Sequence, residues 1–122
     1  MAEHNILGQQ GEEKAQSYLK EKGYQILHVN WRHRRSEIDI IAMDGDTLVF
    51  VEVKTRQTSL FGDPENAVDY KKQRHLIHAA NAYVLKYGYD KDARFDVVSV
   101  IIEKHTSQIN HFKDAFYPTL HS

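Results

Sequence analysis

Two carboxylates and a lysine lie close together in two stretches that favour β-structure. Asp39 is in the middle of Glu37-Ile38-Asp39-Ile40-Ile41, and Glu52 and Lys54 alternate with valines in Val51-Glu52-Val53-Lys54. Carboxylate oxygens are common ligands of Mg²⁺, and a nearby ammonium group can stabilise an anion or orient a nucleophile. An aspartate followed by Glu-x-Lys on the next strand is therefore the set that metal-assisted hydrolysis of a phosphodiester needs.

The spacing predicts that these residues meet through a β-hairpin. The β-branched stretches 36–43 and 48–56 flank Gly45-Asp46, and glycine in the first position suits a type II′ turn. With this turn at the centre, Asp39 is directly opposite Glu52. Because side chains alternate between the two faces of a strand, both carboxylates are expected on the same face.

The two faces of this predicted hairpin differ in polarity. One face carries charged residues away from the turn and apolar residues beside it: Glu37, Asp39, Glu52 and Lys54, then Ile41, Met43, Leu48 and Phe50. The other face is apolar and must be buried: Ile38, Ile40, Ala42, Val49, Val51 and Val53. Opposed like charges destabilise a sheet, and a divalent cation between Asp39 and Glu52 would relieve that repulsion. Ordinary salt bridges at a half-exposed sheet end are the alternative.

Three basic clusters adjoin the hairpin in sequence. Residues 32–35 precede it, Lys54 and Arg56 end it, and residues 71–75 follow a loop. Each cluster alone is typical of a solvated face, but their convergence predicts a phosphate-binding rim of Arg32, Arg34, Arg35, Arg56 and Lys72. The formal net charge of −1 argues against a strong nonspecific nucleic-acid binder.

The remaining pattern predicts the elements that hold these residues. Residues 8–22 have the apolar spacing of a helix. Glu12 lies at the edge of its apolar stripe, and Glu13 faces water. The alternative role of Glu12 is a favourable negative charge near the helix N-terminus. His75 and His78 are interpreted as surface residues rather than metal ligands. Further elements are predicted as strand 24–31, loop 57–69, helix 69–87 and strands 94–102 and 108–112. The order α-β-β-β-α-β-β predicts an α/β fold with a central mixed sheet flanked by helices.

Length and composition predict a single domain, residues 1–122, with an ordinary soluble core. The chain has no cysteine, so disulfides and thiolate metal sites are excluded. No apolar run approaches the ~20 residues of a membrane-spanning helix, and the first residues lack the pattern of a signal peptide. We therefore expect a cytoplasmic protein with no membrane partner.

Several motifs, in order and at compatible spacing, resemble the YraN-like family of endonuclease-like proteins. The motifs include Gly11-Glu12-x-x-Ala15, Asn30-Trp31-Arg32, Glu37-Ile38-Asp39, Val49-Phe50-Val51-Glu52-Val53-Lys54-Thr55-Arg56, Phe61-Gly62, Lys72-Gln73-Arg74 and Arg94-Phe95-Asp96-Val97-Val98. The resemblance covers nearly the whole chain. That family is similar to Holliday-junction resolvases of the PD-(D/E)xK nuclease superfamily, which implies a restriction-endonuclease-like fold.

The resemblance also implies a function and roles for individual residues. It implies a Mg²⁺- or Mn²⁺-dependent endonuclease acting on DNA, including branched or structured DNA, in which Asp39 and Glu52 bind metal. It further implies that Lys54 assists the attacking water and that Glu12 completes the catalytic set. Ser36 stands where many members have glycine, so its side chain could crowd the approach of DNA.

Two other functions compete with hydrolysis. One is a non-catalytic nucleic-acid-binding module with the same fold, and the other is an interaction protein whose charged sheet end is only an ion-pair network. The near-neutral net charge favours these two, or else a homodimer or protein partner that supplies affinity for nucleic acid.

Overall fold

The computed structural model describes residues 2–57 and 69–116. The elements follow in the order α1 (Ala2–Glu21), β1 (Gln25–His33), β2 (Ser36–Asp44), β3 (Thr47–Arg56), α2 (Tyr70–Tyr87), β4 (Ala93–Ile102) and β5 (Ser107–Phe116). This order confirms the predicted α/β fold. The stretch 58–68, which includes Phe61-Gly62 and most of the predicted loop, lies outside the described residues, as does the tail from residue 117.

All five strands form one mixed sheet in the order β1-β2-β3-β4-β5. β3 and β4 are parallel, and the other neighbouring pairs are antiparallel. A parallel pair needs a long crossover connection, which here contains α2. The predicted central mixed sheet is thus confirmed.

The helices pack against opposite faces of the sheet. Ala15 and Leu19 of α1 join a buried cluster with alternate strand residues, namely Ile40, Ala42, Val49, Val51, Val98 and Val100. Leu76 and Tyr83 of α2 join a second cluster with the intervening residues, among them Ile41, Leu48, Phe50, Phe95 and Val97. Because strand side chains alternate in direction, the two clusters are the two faces of one sheet.

The predicted hairpin has the predicted register near its turn. Asp44 pairs with Thr47 and Ile40 pairs with Val51, so the carboxylates of Asp39 and Glu52 stand at the next position along the two strands. Gly45 has φ 61, and Asp46 is not among the described residues with positive φ. This combination fits the type II′ turn, in which only the first central residue needs a positive φ.

The prediction for Ile38 was wrong. Ile38 packs in the α2-side cluster together with Ile41, whereas strict alternation would place it on the face of Ile40. The described β2–β3 pairing ends at Ile40, while Ile38 still pairs with Trp31 of β1. The strict alternation of side chains in β2 therefore ends near Asp39, where the pairing with β3 is lost and the pairing with β1 is kept.

Most predicted element boundaries agree with the structure to within a few residues. α1 begins at Ala2 rather than at Gly8, and β5 continues to Phe116, whose ring stacks on Phe95 with centroids 4.8 Å apart. α2 starts where the Asp69 carboxylate accepts a hydrogen bond from the Lys72 amide. Gly88, at φ 69, ends the helix, since glycine tolerates the left-handed conformation. Neither described helix is apolar enough over a sufficient length to cross a membrane.

Candidate active site

The two predicted carboxylates meet at the point where β2 and β3 separate. Asp39 Oδ2 accepts a hydrogen bond of 2.8 Å from the backbone N–H of Val53. This side-chain bond takes the place of the next backbone hydrogen bond between β2 and β3. Glu52 is only 4% exposed, and its carboxyl group is hydrogen-bonded to that of Asp39. Two buried acids are therefore held in direct contact.

This contact changes the acidity of Asp39. Burial raises the pKa of Asp39 to about 8, and the nearby charges of Glu52 and Glu12 act in the same direction. The Val53 N–H opposes this shift by stabilising the charged form. Burial and the adjacent charge of Glu52 both favour the neutral form of Asp39, because two adjacent carboxylates cannot both ionise cheaply in a buried site.

Two lysines compensate the charge of Glu52. Lys72 Nζ, from the first turn of α2, lies 2.9 Å from Glu52 Oε2, and Lys54 Nζ lies 3.6 Å from the same oxygen. Burial alone would lower the pKa of Lys72, but its attraction to Glu52 leaves that pKa raised. The sequence analysis placed Lys72 in a phosphate-binding rim, and the structure places it on a site carboxylate.

A third carboxylate reaches this site from α1. Glu12 is half-buried while Glu13 is exposed, as the helical spacing predicts. Burial raises the pKa of Glu12, and the charges of Glu37 and Glu52 add to that rise. The helix comes close to β3 because Gly11 has no side chain: a Cβ there would overlap the side chain of Thr55.

Asn30 is a site residue that the sequence analysis missed. Its side-chain amide donates a hydrogen bond to Glu12 and thereby lowers the pKa of that carboxyl group. In β1 it lies between Val29, which pairs with Ile40, and Trp31, which pairs with Ile38, and so stands across from Asp39. Its φ of 52 is left-handed. Asparagine is depleted in strands but tolerates this conformation, which is the signal that could have identified it.

The predicted basic rim is distributed along one side of the site. Arg32 and Arg35 line a cavity of about 360 Å³ together with Asp39 and Lys72, and Arg32 Nε also lies 3.7 Å from Glu37 Oε2. Arg34, at φ 57 in the β1–β2 turn, lines the adjoining cavity. Arg56 ends β3, two residues beyond Lys54, and is engaged in an interaction of its own.

The donor chemistry of the site fits a divalent cation. Asp39 and Glu52 present the hard oxygen ligands that Mg²⁺ and Mn²⁺ prefer, and their mutual repulsion would be relieved by such an ion. Across residues 2–57 and 69–116, no three histidine or acidic side chains form a ready-made metal group. His75 and His78 are exposed, in agreement with their interpretation as surface residues.

Another buried aspartate provides an internal comparison. Asp96 is fully buried, and it accepts hydrogen bonds from Arg94 Nε at 3.0 Å and from the Asp114 amide at 3.1 Å, with His111 Nε2 2.7 Å away. Burial alone would raise the pKa of Asp96, but these donors keep it lowered. Asp96 ties β4 to β5 and is a structural acid, whereas Asp39 faces other acids.

Comparison with known proteins places the chain in a family. Residues 11–100 match the model of the uncharacterised protein family UPF0102. The chain belongs to this family. The match spans all the site residues described above, and it confirms the resemblance to the YraN-like family.

UPF0102 relatives match this chain over nearly its full length. The UPF0102 protein of Bacteroides thetaiotaomicron is 49% identical over 120 residues, which are 98% of this chain and 99% of the relative. The UPF0102 protein of Phocaeicola vulgatus is 45% identical over the same shares of both chains. The UPF0102 protein of Christiangramia forsetii is 46% identical over 117 residues, or 96% of this chain and 98% of the relative.

Proposed function

We propose that this UPF0102 protein is a Mg²⁺- or Mn²⁺-dependent endonuclease that hydrolyses phosphodiester bonds in DNA, including branched or structured DNA. The observation that carries the proposal is the buried contact between the carboxyl groups of Asp39 and Glu52. Such a contact opposes folding, since burial and like charge both disfavour ionisation. Strongly perturbed acids of this kind cluster at functional sites.

The comparison with Asp96 supports a functional rather than a structural role for this pair. Asp96 is surrounded by donors that stabilise its charge, as expected of an acid that holds strands together. Asp39 accepts from the Val53 N–H, but burial and the charges of Glu52 and Glu12 still raise its pKa. An acid that only held strands together would not need neighbours whose charges oppose its ionisation.

Each residue of the site has a role that follows from its position. Asp39 and Glu52 would hold the cation, which when bound polarises the phosphate and lowers the pKa of a water molecule. Lys54, within 3.6 Å of Glu52, orients the attacking water and stabilises negative charge on the phosphate. Glu12, held by Asn30, orients water from the side of α1.

Lys72 has a separate role in this proposal. It balances the charge of Glu52 at 2.9 Å and lines the cavity that contains Asp39. A cation held by Asp39 and Glu52 would balance the charge of Glu52 and would leave the Lys72 ammonium available to a phosphate oxygen. The residue then serves both the resting site and the bound substrate.

A non-catalytic nucleic-acid-binding module is the second candidate. The observation that favours it is the position of Lys72, which already neutralises Glu52 without a metal. In such a module the carboxylate pair would only position Lys72 and Lys54 for contact with phosphate.

Cleavage assays with a lysine variant separate the two candidates. The purified protein is incubated with supercoiled, single-stranded, flapped and four-way-junction DNA in Mg²⁺, Mn²⁺ or EDTA. Hydrolysis by the wild type should require the cation, and Lys54→Ala should lower its rate by about 10²–10³-fold, as removal of a preorganised electrostatic group typically does. DNA binding without cleavage of any substrate would favour the binding module, and cleavage unchanged in Lys54→Ala would place the activity elsewhere.

A further inference from the structure

A groove lies beside the carboxylate site, between the β1–β2 turn and α2. It consists of three adjoining cavities. The first, of about 360 Å³, contains Asp39 and Lys72; the second, of about 630 Å³, is lined by Arg34 and Arg35; the third, of about 450 Å³, is lined by Tyr70 and Arg74. Because His75 borders all three cavities, we treat them together as one surface, which we term the α2 groove, leading away from the carboxylates.

The α2 groove concentrates positive charge in a chain whose net charge is −1. Six of the sixteen lysines and arginines line it: Arg32, Arg34, Arg35, Lys71, Lys72 and Arg74. Among the described residues, the acids that line it, Glu37 and Asp39, belong to the first cavity only. Beyond the carboxylate site, the groove therefore offers an anion a continuous cationic lining.

The groove ends at an exposed aromatic ring. Tyr70, the first residue of α2, is 54% exposed. The guanidinium carbon of Arg74 lies 5.8 Å from the centroid of its ring. A positively charged groove combined with aromatic rings on which bases stack is how proteins bind single-stranded nucleic acid.

We propose that the α2 groove binds a single-stranded segment of nucleic acid that extends from the carboxylate site. This inference rests on the proposed function and adds the class of substrate: DNA with a single-stranded part next to the cleaved bond. Each cavity has the ~300–1,000 Å³ of a small-ligand pocket, which suits one or two nucleotides rather than a duplex. The first two cavities lie between α2 and the tight β1–β2 turn, where His33 pairs with Ser36, and the third lies along α2. A flexible strand can follow this surface.

Binding measured without metal tests the groove independently of hydrolysis. Fluorescence anisotropy in EDTA compares a labelled single-stranded 12-mer with the same sequence as a blunt duplex. The wild type should bind the single strand more tightly. Equal or tighter binding of the duplex would overturn the inference.

Two charge-matched double variants locate the binding surface. Arg34→Gln/Arg35→Gln removes two positive charges from the groove, and Lys86→Gln/Lys91→Gln removes two charges elsewhere. Because each lost phosphate contact on a single strand reduces the log–log salt slope by about 0.7, the groove variant should lower that slope by about 1.4. The control should leave it unchanged, although its net charge is the same. Equal effects in the two variants would show that net charge, not the groove, governs binding.

Tyr70 provides a test of base stacking. Tyr70→Ala should weaken single-strand binding by about tenfold, whereas Tyr70→Phe should retain it, since stacking needs only the ring. Wild-type affinity in Tyr70→Ala, together with an unaltered salt slope in the arginine variant, would overturn the groove assignment.

The outcomes of binding and cleavage are separable. Groove-dependent binding without cleavage would support the inference and reject hydrolysis. Metal-dependent cleavage that is insensitive to the groove variants would support the proposed function and reject the inference. Undetectable binding of both nucleic acids at low salt would reject the inference even if slow cleavage occurs.

Discussion

Lys72 Nζ lies 2.9 Å from Glu52 Oε2, which joins the first turn of α2 to a buried acid of β3. Lys54 contacts the same oxygen from two residues along the strand, at 3.6 Å. Asp39, on the neighbouring strand, has a raised pKa because of its burial and the nearby charge of Glu52. The site is therefore asymmetric. Two lysines balance the charge of Glu52, whereas ionisation of Asp39 is disfavoured.

Without metal, Asp39→Asn should stabilise the protein increasingly as the pH rises. The pKa of Asp39 is about 8 in the folded chain, well above its ordinary value of 3.8. A raised pKa means that the contribution of Asp39 to stability is complete below about pH 4 and is lost as the pH rises toward 8. Asparagine does not titrate and can still accept from Val53 N–H.

The test of this prediction is a series of thermal melts in EDTA from pH 5 to pH 8. The melting temperature of Asp39→Asn minus that of the wild type should grow across the series. Asp96→Asn is the control with the opposite sign, because the lowered pKa of Asp96 stabilises the folded chain at neutral pH. A constant difference between Asp39→Asn and wild type would contradict the coupling of Asp39 to Glu52.

Mn²⁺ should raise the melting temperature of the wild type and not that of Asp39→Asn. A ligand at a hundredfold excess over its Kd stabilises the folded state by about 2.7 kcal/mol. The shift should be larger at pH 8 than at pH 6, since a metal site must lose its bound proton before the cation binds. Equal shifts in both proteins would favour the ion-pair network over the metal site.

Glu12→Gln should reduce the rate of DNA cleavage, and Glu13→Gln should not. Glu12 is half-buried and interacts with Asn30 and Glu52, whereas its neighbour Glu13 faces solvent. Both variants lose one negative charge from the same helix turn, so they are matched in net charge. A loss on the order of 10² in rate is expected for Glu12→Gln, measured by single-turnover nicking. Equal rates in the two variants would exclude Glu12 from the site.

Asn30 should prove to be a positioning residue for Glu12. Asn30→Gly keeps the left-handed backbone but removes the donor to Glu12, and Asn30→Ala removes the donor and adds backbone strain of about 1–2 kcal/mol. Both should slow cleavage, and urea unfolding should show Ala to be the less stable of the two. Asn30→Asp, which places a carboxylate against Glu12, should slow cleavage most at high pH. Full activity in Asn30→Gly would assign Asn30 a purely conformational role.

Alanine at Gly11 and at Gly8 should have opposite effects on stability. A Cβ at Gly11 would overlap the side chain of Thr55, whereas a Cβ at Gly8 would meet nothing within 4 Å. We expect Gly11→Ala to destabilise the protein by about 1–3 kcal/mol, as overpacking does. Gly8→Ala should stabilise it by about 0.5–1 kcal/mol through helix propensity. Urea unfolding measures both, and equal effects would show that α1 does not approach β3 this closely.

The sequence by itself determined the features that depend on local pattern. The alternation of 36–43 and 48–56 around Gly45-Asp46 predicted the hairpin and its register, because slipping by one residue would expose the apolar face. The helical stripe placed Glu12 toward the core and Glu13 in water. Asp69 and Gly88 mark the ends of α2 through local backbone chemistry.

Tertiary structure alone decided the features that depend on contacts between distant elements. Three strands meet at Asp39, and only their mutual arrangement ends the ladder there, turns Ile38 to the other face and lets Val53 bond a side chain. Lys72 reaches Glu52 because the crossover through α2 returns over the sheet. Asn30 reaches Glu12 from a different element. Such contacts join residues that no local periodicity relates, and so the composition of the site could be predicted while its charge balance could not.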